Sequence, residues 1–286
     1  MITIGTPLCK KRGKLRMAEI LKGRMDNYGG ITIVTGDKNI ESPDHFDTLL
    51  KDSLEQWGSS GVRGVWVKVK TSQAELVPIC TKHGFEFHHA QPGYVMLTKW
   101  LPLTEENHLP EYANQYLGAA GFVVNEKDEV LVVKEKYTHS STKAKWKFPG
   151  GHADRGEDLH EASTREVFEE TGVKCEFESI LSFRHQHNYR FGLSDWYFMC
   201  LLRPITQELN PCVREIAECR WMHIDEYLSM DDSEVSDNNR YFAQCYKDRL
   251  TSGINAAIQS KDVLSWDRKR HHKVYTAQLI KPNNIL

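Results

Sequence analysis

Three glutamates in this 286-residue chain, Glu166, Glu169 and Glu170, stand at spacings that could do chemistry. An α-helix turns about 100° per residue, so all three fall within an arc of about 100° on one face. Leu159 and Ala162 project onto the same side, which marks it as the face expected to turn inward. Carboxylates this close repel one another and are costly to strip of water without a cation. Hard oxygen donors of this kind suit Mg²⁺ or Mn²⁺, which can also bridge to phosphate oxygens. An isolated Glu-rich stretch is more often a solvated acidic helix, but the flanks argue otherwise. Gly150 and Gly151 lead into the helix by a loop, where a backbone carbonyl can approach a metal closely. Arg165, beside Glu166, could hold a neighbouring carboxylate by a charge-assisted hydrogen bond. Gly172 stands where a C′ glycine would end the helix.

The whole stretch reads Gly151, five residues, Glu157, seven residues, Arg165-Glu166-Val167, one residue, Glu169-Glu170, one residue, Gly172-Val173. This is a complete nudix box, so the chain resembles the nudix hydrolases with no departure at the fixed positions. The resemblance implies a loop-helix-loop that positions metal ions on a diphosphate and activates the attacking water. It gives the metal-ligand roles to Glu166, Glu169 and Glu170 with the Gly151 carbonyl beside them. Glu157 and Arg165 become partners that hold the motif in shape.

Composition is that of an ordinary globular protein: 40% hydrophobic, 27% charged, formal net charge −2. This near-neutral balance gives no support to general nucleic-acid binding. No apolar run approaches the roughly 20 residues of a membrane span. The seven cysteines include no C-x-x-C pair, which argues for free thiols in a reducing compartment and against a zinc site. A cytoplasmic location is expected, with mitochondrial or nuclear as alternatives. The basic N-terminus, Lys10 to Arg24, is interrupted by Gly13 and Gly23 and reads as a plain basic arm rather than a presequence.

Two domains are expected, over residues 25–105 and 106–286. In the first, Tyr28–Thr35 alternates as a strand, and Ser42-Pro43 opens a helix carrying Phe46, Leu49, Leu50, Leu54 and Trp57. Gly64–Lys70 alternates again, Gln73–His83 reads as a second helix, and two strands follow, ending at Trp100. The segments around Trp57, Gly64-Val65-Trp66 and Gly84 to Ala90 resemble the pre-nudix domain of one nudix subfamily. That subfamily includes plant ADP-ribose and NADH pyrophosphatases and the animal fibroblast growth factor antisense protein. Its pre-nudix domain is acetyltransferase-like, but no glycine-rich basic pyrophosphate loop is present here, so no acetyl transfer is expected. His88 and His89 are adjacent on a strand, and period-two geometry sends them to opposite faces.

In the second domain, Leu117–Val124 and Glu129–Glu135 read as a hairpin about the Asn125–Asp128 turn. Trp146-Lys147-Phe148-Pro149 then enters the box. Strands follow at Lys174–Phe183, Leu193–Arg203 and Glu218–Ile224, and a packing helix at Asn239–Leu250. The tail from Lys261, with the basic run Arg268–Lys273 and a β-like end at Val274–Ile280, reads by default as solvated. The fold class is therefore α/β: a small pre-nudix α/β domain, then the nudix α/β/α sandwich with its mixed sheet.

The resemblance further implies that a glutamate outside the box, ahead of Trp221, completes the metal cage or acts as base; Glu215 and Glu218 fit that setting. Arg184 is a planar donor for a substrate phosphate. His185 and His187 could do proton work, although loop histidines are more often bystanders. Trp146, Phe148 and Tyr189 are aromatic candidates for stacking on adenine.

The box implies hydrolysis of a nucleoside diphosphate linked to another moiety, a small-molecule substrate. The pre-nudix resemblance points to ADP-ribose or NADH, with AMP as one product. Alternatives are a sanitising hydrolase of oxidised nucleoside triphosphates or dinucleoside polyphosphates, and a regulatory nucleotide-binding protein. The last is disfavoured because a pure binder has no need of the intact glutamates. A homodimer is expected from the resemblance alone.

Overall fold

The computed structural model describes residues 19–37, 40–137, 143–251, 256–264, 268–269 and 271–279. The basic residues Lys10 to Arg16 and the end of the tail from Ile280 lie outside these. The chain divides into two compact units at Ala113/Asn114.

The first unit runs β1 (Arg24–Met25), β2 (Gly30–Val34), α1 (Pro43–Ser59), β3 (Gly64–Lys70), α2 (Val77–Lys82), β4 (Glu86–Gln91) and β5 (Tyr94–Trp100). Its sheet has the order β1-β2-β3-β5-β4. The crossover through α1 makes β2 and β3 parallel. The Ser42 hydroxyl accepts from His45 N–H and Pro43 sits in the first turn, which starts α1 where the sequence indicates. Phe46, Leu49, Leu50 and Trp57 are buried against Ile33, Val65 and Val67.

Two expectations fail in this unit. The helix expected from Gln73 begins only at Val77, after a 3₁₀ segment at Thr71–Leu76 in which Gln73 is non-helical. Pro78, which lacks an N–H, fits the first turn of a new helix and not the middle of an old one. His88 and His89 do not point apart. A β-bulge between Phe87 and His89 breaks the period of two and brings their Nδ1 atoms to 2.6 Å.

The second unit runs β6 (Gln115–Val123), β7 (Glu129–Glu135), β8 (Gly150–His152), α3 (Leu159–Thr171), β9 (Cys175–Gln186), β10 (Ser194–Pro204), β11 (Ile216–His223), α4 (Ile224–Ser229), α5 (Asp237–Thr251), β12 (Ala256–Leu264) and β13 (His271–Leu279). A mixed six-stranded sheet has the order β13-β12-β9-β10-β6-β8, and β11 pairs with β7 in a separate sheet. Ala120, Phe122, Met199 and Leu201 of the large sheet pack against Val130, Val132 and Met222 of the small one, with Tyr227 and Phe242 from α4 and α5. The opposite face of the large sheet receives α3 through Val123, Val167, Cys200 and Leu202.

The hairpin expected from β6 and β7 does not form as a ladder. An isolated bridge, Val124 to Val130, joins the two segments, and the strands belong to different sheets. Both are buried through most of their length, so each needs cover on two faces, which a shared edge would not provide. Asn125 turns the chain between the sheets; its Oδ1 accepts from Lys127 N–H and Glu129 N–H. The tail is also more ordered than expected. β12 and β13 form an antiparallel pair that meets β9 at Ile258 and Ile180, and Ile258 and Tyr275 pack against Leu159 and Ala162.

Candidate active site

The helix α3 carries the box glutamates. Asp158 N–H donates to Glu161 Oε2 at its start. Gly172, at φ 77°, ends it in the left-handed conformation that favours glycine. The helix lies close on β6 because Gly121 has no side chain: a Cβ there would fall 2.3 Å from a Val167 methyl. This close approach buries the Val167 and Glu170 side of the helix and leaves Glu169 outward.

Arg165 organises the exposed half of the box. Its Nε and Nη2 donate to the two oxygens of Glu157 at 2.7 and 2.8 Å, a bidentate pair. Its Nη1 donates to Glu166 at 2.9 Å and Glu169 at 3.1 Å, and Nη2 also reaches the His152 carbonyl at 3.1 Å. One guanidinium thus ties the loop before the helix to two of the three candidate ligands. Its hydrogen bonds, helped by its charge, hold the Glu157 carboxyl below the usual range.

Glu170 is treated differently. Its residue is 7% exposed, its Oε2 accepts from Gly150 N–H at 3.2 Å, and its Oε1 lies 3.7 Å from Lys147 Nζ. Burial pushes its carboxyl up to about 7, against the pull of Lys147. Burial also raises Glu166, with Arg165 opposing. Lys147 in turn sits 2.5 Å from Glu135 Oε1. Burial works against its charge, yet Glu170 and Glu135 together raise its ammonium above the ordinary value.

Among the described residues no three His, Cys, Asp or Glu side chains are gathered as a finished metal cage; Arg165 takes up Glu166 and Glu169 instead. The donor set nevertheless fits a hard divalent cation. It offers three carboxylates on one helix face, one of them buried and left with a raised proton affinity. At Gly151 an added Cβ would lie 2.6 to 2.8 Å from the Glu166 carboxyl group, so glycine is what allows the backbone to approach that carboxylate.

Other expected residues fall into place unevenly. Arg184 Nη2 donates to the buried carboxylate of Asp195 at 2.8 Å, and its guanidinium lies 5.3 Å from the Tyr197 ring centre. Burial pushes the Tyr197 hydroxyl up to about 12, with Lys147, Glu170, Arg184 and Asp195 all acting on it electrostatically. Tyr189 stands edge-on to Tyr116 at 5.9 Å and 6.2 Å from the His152 ring, next to the box.

Trp146 and Phe148 are corrected: neither presents a face for adenine. Trp146 is 4% exposed, with Lys134 and Arg220 within 5 Å of its ring centre. Phe148 packs on Phe122 at 4.7 Å and Tyr227 at 5.1 Å inside the core. Glu215 and Glu218 are exposed. Glu218 lies 3.7 Å from Lys134, and among the described residues no hydrogen bond or ion pair joins either glutamate to the box. His185 stacks on Trp196 at 4.1 Å, and His187 Nδ1 meets Ser194 Oγ at 2.9 Å; neither touches a box carboxylate. Glu135, Lys147 and Tyr116 escaped the sequence reading. The available signal was a lysine set among buried aromatics in Trp-Lys-Phe-Pro.

A NUDIX domain model matches residues 114–245, and a Nudix hydrolase domain model matches residues 21–101. The second of these falls on the first unit. Nudix hydrolase 2 of Arabidopsis thaliana is 42% identical over 210 residues, covering 73% of this chain and 74% of that protein. The chain belongs to the Nudix hydrolases. Nudix hydrolase 8 of Arabidopsis thaliana is 44% identical over 203 residues, 71% of this chain; the match spans 55% of that longer protein. Human nucleoside diphosphate-linked moiety X motif 6 is 35% identical over 221 residues, 74% of this chain and 68% of that protein. Both plant and animal members of the resembled subfamily are therefore represented. Among the described residues no helix is long and apolar enough to cross a membrane.

Proposed function

We propose that this Nudix hydrolase cleaves the diphosphate bond of a nucleoside diphosphate linked to another moiety, with ADP-ribose or NADH as substrate. The products are AMP and the other monophosphate. The observation that carries the reading is the shared seat of the three box carboxylates. Arg165 Nη1 holds Glu166 and Glu169, while the loop before the helix grips Glu170 through Gly150 N–H. The name of the human relative, a nucleoside diphosphate-linked moiety X protein, supports the substrate class.

Glu166, Glu169 and Glu170, with the Gly151 carbonyl, are the groups that would hold Mg²⁺ or Mn²⁺. Such an ion supplies charge stabilisation for the phosphate oxygens and lowers the pKa of water. Arg165 keeps two of the carboxylates converged and paired to the loop. Gly150 N–H fixes one oxygen of Glu170, leaving the other turned toward Lys147. Arg184, oriented by Asp195, offers guanidinium N–H groups to a phosphate, although its Nε–H is buried. Tyr189 and Tyr116 offer aromatic faces beside the box for a base.

The test is product analysis with ADP-ribose, NADH, diadenosine polyphosphates, coenzyme A and 8-oxo-dGTP as substrates, with Mg²⁺ or Mn²⁺ and then with chelator. Metal-dependent AMP from ADP-ribose or NADH is expected. Pyrophosphate plus a monophosphate from 8-oxo-dGTP, with ADP-ribose and NADH untouched, would replace this reading by nucleotide sanitation. The homodimer that the subfamily resemblance implies is tested separately by sedimentation of the purified chain.

A further inference from the structure

We propose that Lys147, seated on Glu135, is a positioning residue for Glu170. The proposal rests on the assignment of Glu170 to the metal site. The four residues Lys147-Phe148-Pro149-Gly150 meet both oxygens of the Glu170 carboxylate: Lys147 Nζ lies 3.7 Å from Oε1 and Gly150 N–H lies 3.2 Å from Oε2. Among the described residues no other box glutamate is held from two sides by its own entry loop; Glu166 and Glu169 share one nitrogen of Arg165.

The clamp is itself anchored. Lys147 exchanges both backbone hydrogen bonds with Val133 at 2.9 Å, which fixes its main chain to β7. Phe148, 1% exposed, pins the middle in the core. The Pro149 carbonyl accepts from Gly121 N–H at 2.9 Å, which ties the loop to β6. At Gly150 an added Cβ would meet the Ala120 backbone at 2.4 Å, so the loop cannot shift outward without parting from β6. The ammonium is held by Glu135, the last residue of β7, at 2.5 Å. Lys147 therefore links the small sheet to the catalytic helix, from a side chain that is three-quarters covered.

A cation beside a metal ligand can act in two opposite ways. As a bare charge it repels a divalent ion, and its removal tightens metal binding. As a positioning group it holds the carboxylate in the one rotamer that ligates, and its removal weakens metal binding. The two-sided grip favours the second, because a buried carboxylate freed from Oε1 can turn away. Outer-shell partners of this kind are worth about 10–100-fold in metal affinity or activity.

The test is Mn²⁺ titration followed by electron paramagnetic resonance, with turnover of ADP-ribose measured on the same samples. Lys147→Met is expected to weaken Mn²⁺ binding about 10-fold or more and to lower kcat, with the KM for ADP-ribose within about 3-fold of wild type. Lys147→Arg should restore most of both. Glu135→Gln, at a half-exposed position, should shift Mn²⁺ affinity in the same direction by less, and carries the test if Lys147→Met fails to fold. Unchanged or tighter Mn²⁺ binding by folded Lys147→Met would overturn the proposal. So would a raised KM with kcat preserved, since that would make Lys147 a substrate contact. Wild-type protein that binds no Mn²⁺ would overturn the metal-site assignment and the proposal with it.

Discussion

Two pairs of adjacent like residues, Glu169–Glu170 on α3 and His88–His89 on β4, meet opposite fates. The glutamates are separated: Glu169 has its side chain 59% exposed and paired to Arg165, while Glu170 is buried and held by the entry loop. The histidines are brought together, nitrogen to nitrogen. The difference lies in the backbone. A helix is locked by its i→i−4 ladder, so neighbouring side chains stay about 100° apart. A strand can admit one extra residue as a bulge, and the side-chain alternation then breaks locally.

Proton placement separates the pairs as well. The Pro110 carbonyl can only accept, so His88 Nε2 donates to it at 2.9 Å. Of the two facing Nδ1 atoms one must donate and the other accept, and His89 Nε2 meets the Tyr94 hydroxyl at 3.2 Å. Tyr112 stacks on His89 at 4.5 Å. Burial holds His89 below its ordinary value, helped by His88 and by Lys68. Burial moves Glu170 the other way, upward. At Glu170 and at His89 burial favours the neutral form, so these two residues should respond to pH with opposite signs.

The larger effect is expected at Glu170. Its folded pKa of about 7 lies above the ordinary 4.5. Its contribution to metal-free stability is full below about pH 4.5 and is lost as pH rises through about 7. Glu170→Gln removes that dependence. Its metal-free stability relative to wild type should therefore grow by on the order of 3 kcal/mol between pH 4.5 and 7.5. Chemical denaturation in the presence of chelator measures the gap; a gap that stays flat or shrinks with rising pH would mean that Glu170 is not strained by its burial.

The smaller effect is expected at the histidines. Because the folded pKa of His89 is depressed, its contribution is present above the unfolded value near 6.5 and lost as pH falls through the folded one. His89→Phe should cost about 1 kcal/mol at pH 7.5, the scale of one hydrogen bond. The gap from wild type should close toward pH 5. A gap that widens on acidification would contradict the lowering of His89 by its burial at the bulge.

The helix with its glutamates was legible because its spacing, entry glycines and terminal Gly172 all act within about 20 residues of one another. The Gly172 cap and the inward face of α3 needed no distant partner to be foreseen. The histidine bulge was not legible, since a bulge depends on how β4 registers with β5. β6 and β7 each showed in their own apolar runs, but nothing local reveals that β7 pairs with β11 instead of β6. Trp146 and Phe148 were visible as aromatics; only the packed core shows that their faces are covered. Lys147 was missed for the same reason, as both carboxylates that hold it come from other elements. In the tail, β13 showed in part as the β-like run from Val274, whereas β12 is recognisable only once β9 supplies an edge.

If the box carboxylates form a working cation site, Glu169 is its exposed member, held by Arg165 and not packed in the core. AMP release from ADP-ribose and NADH by wild type and by Glu169→Gln, compared in one assay with matched Tm values, tests it most directly. Turnover should fall at least ~100-fold in the variant with the fold intact, because a metal ligand and no packing is lost. Near-normal turnover by a folded Glu169→Gln would remove Glu169 from the metal site.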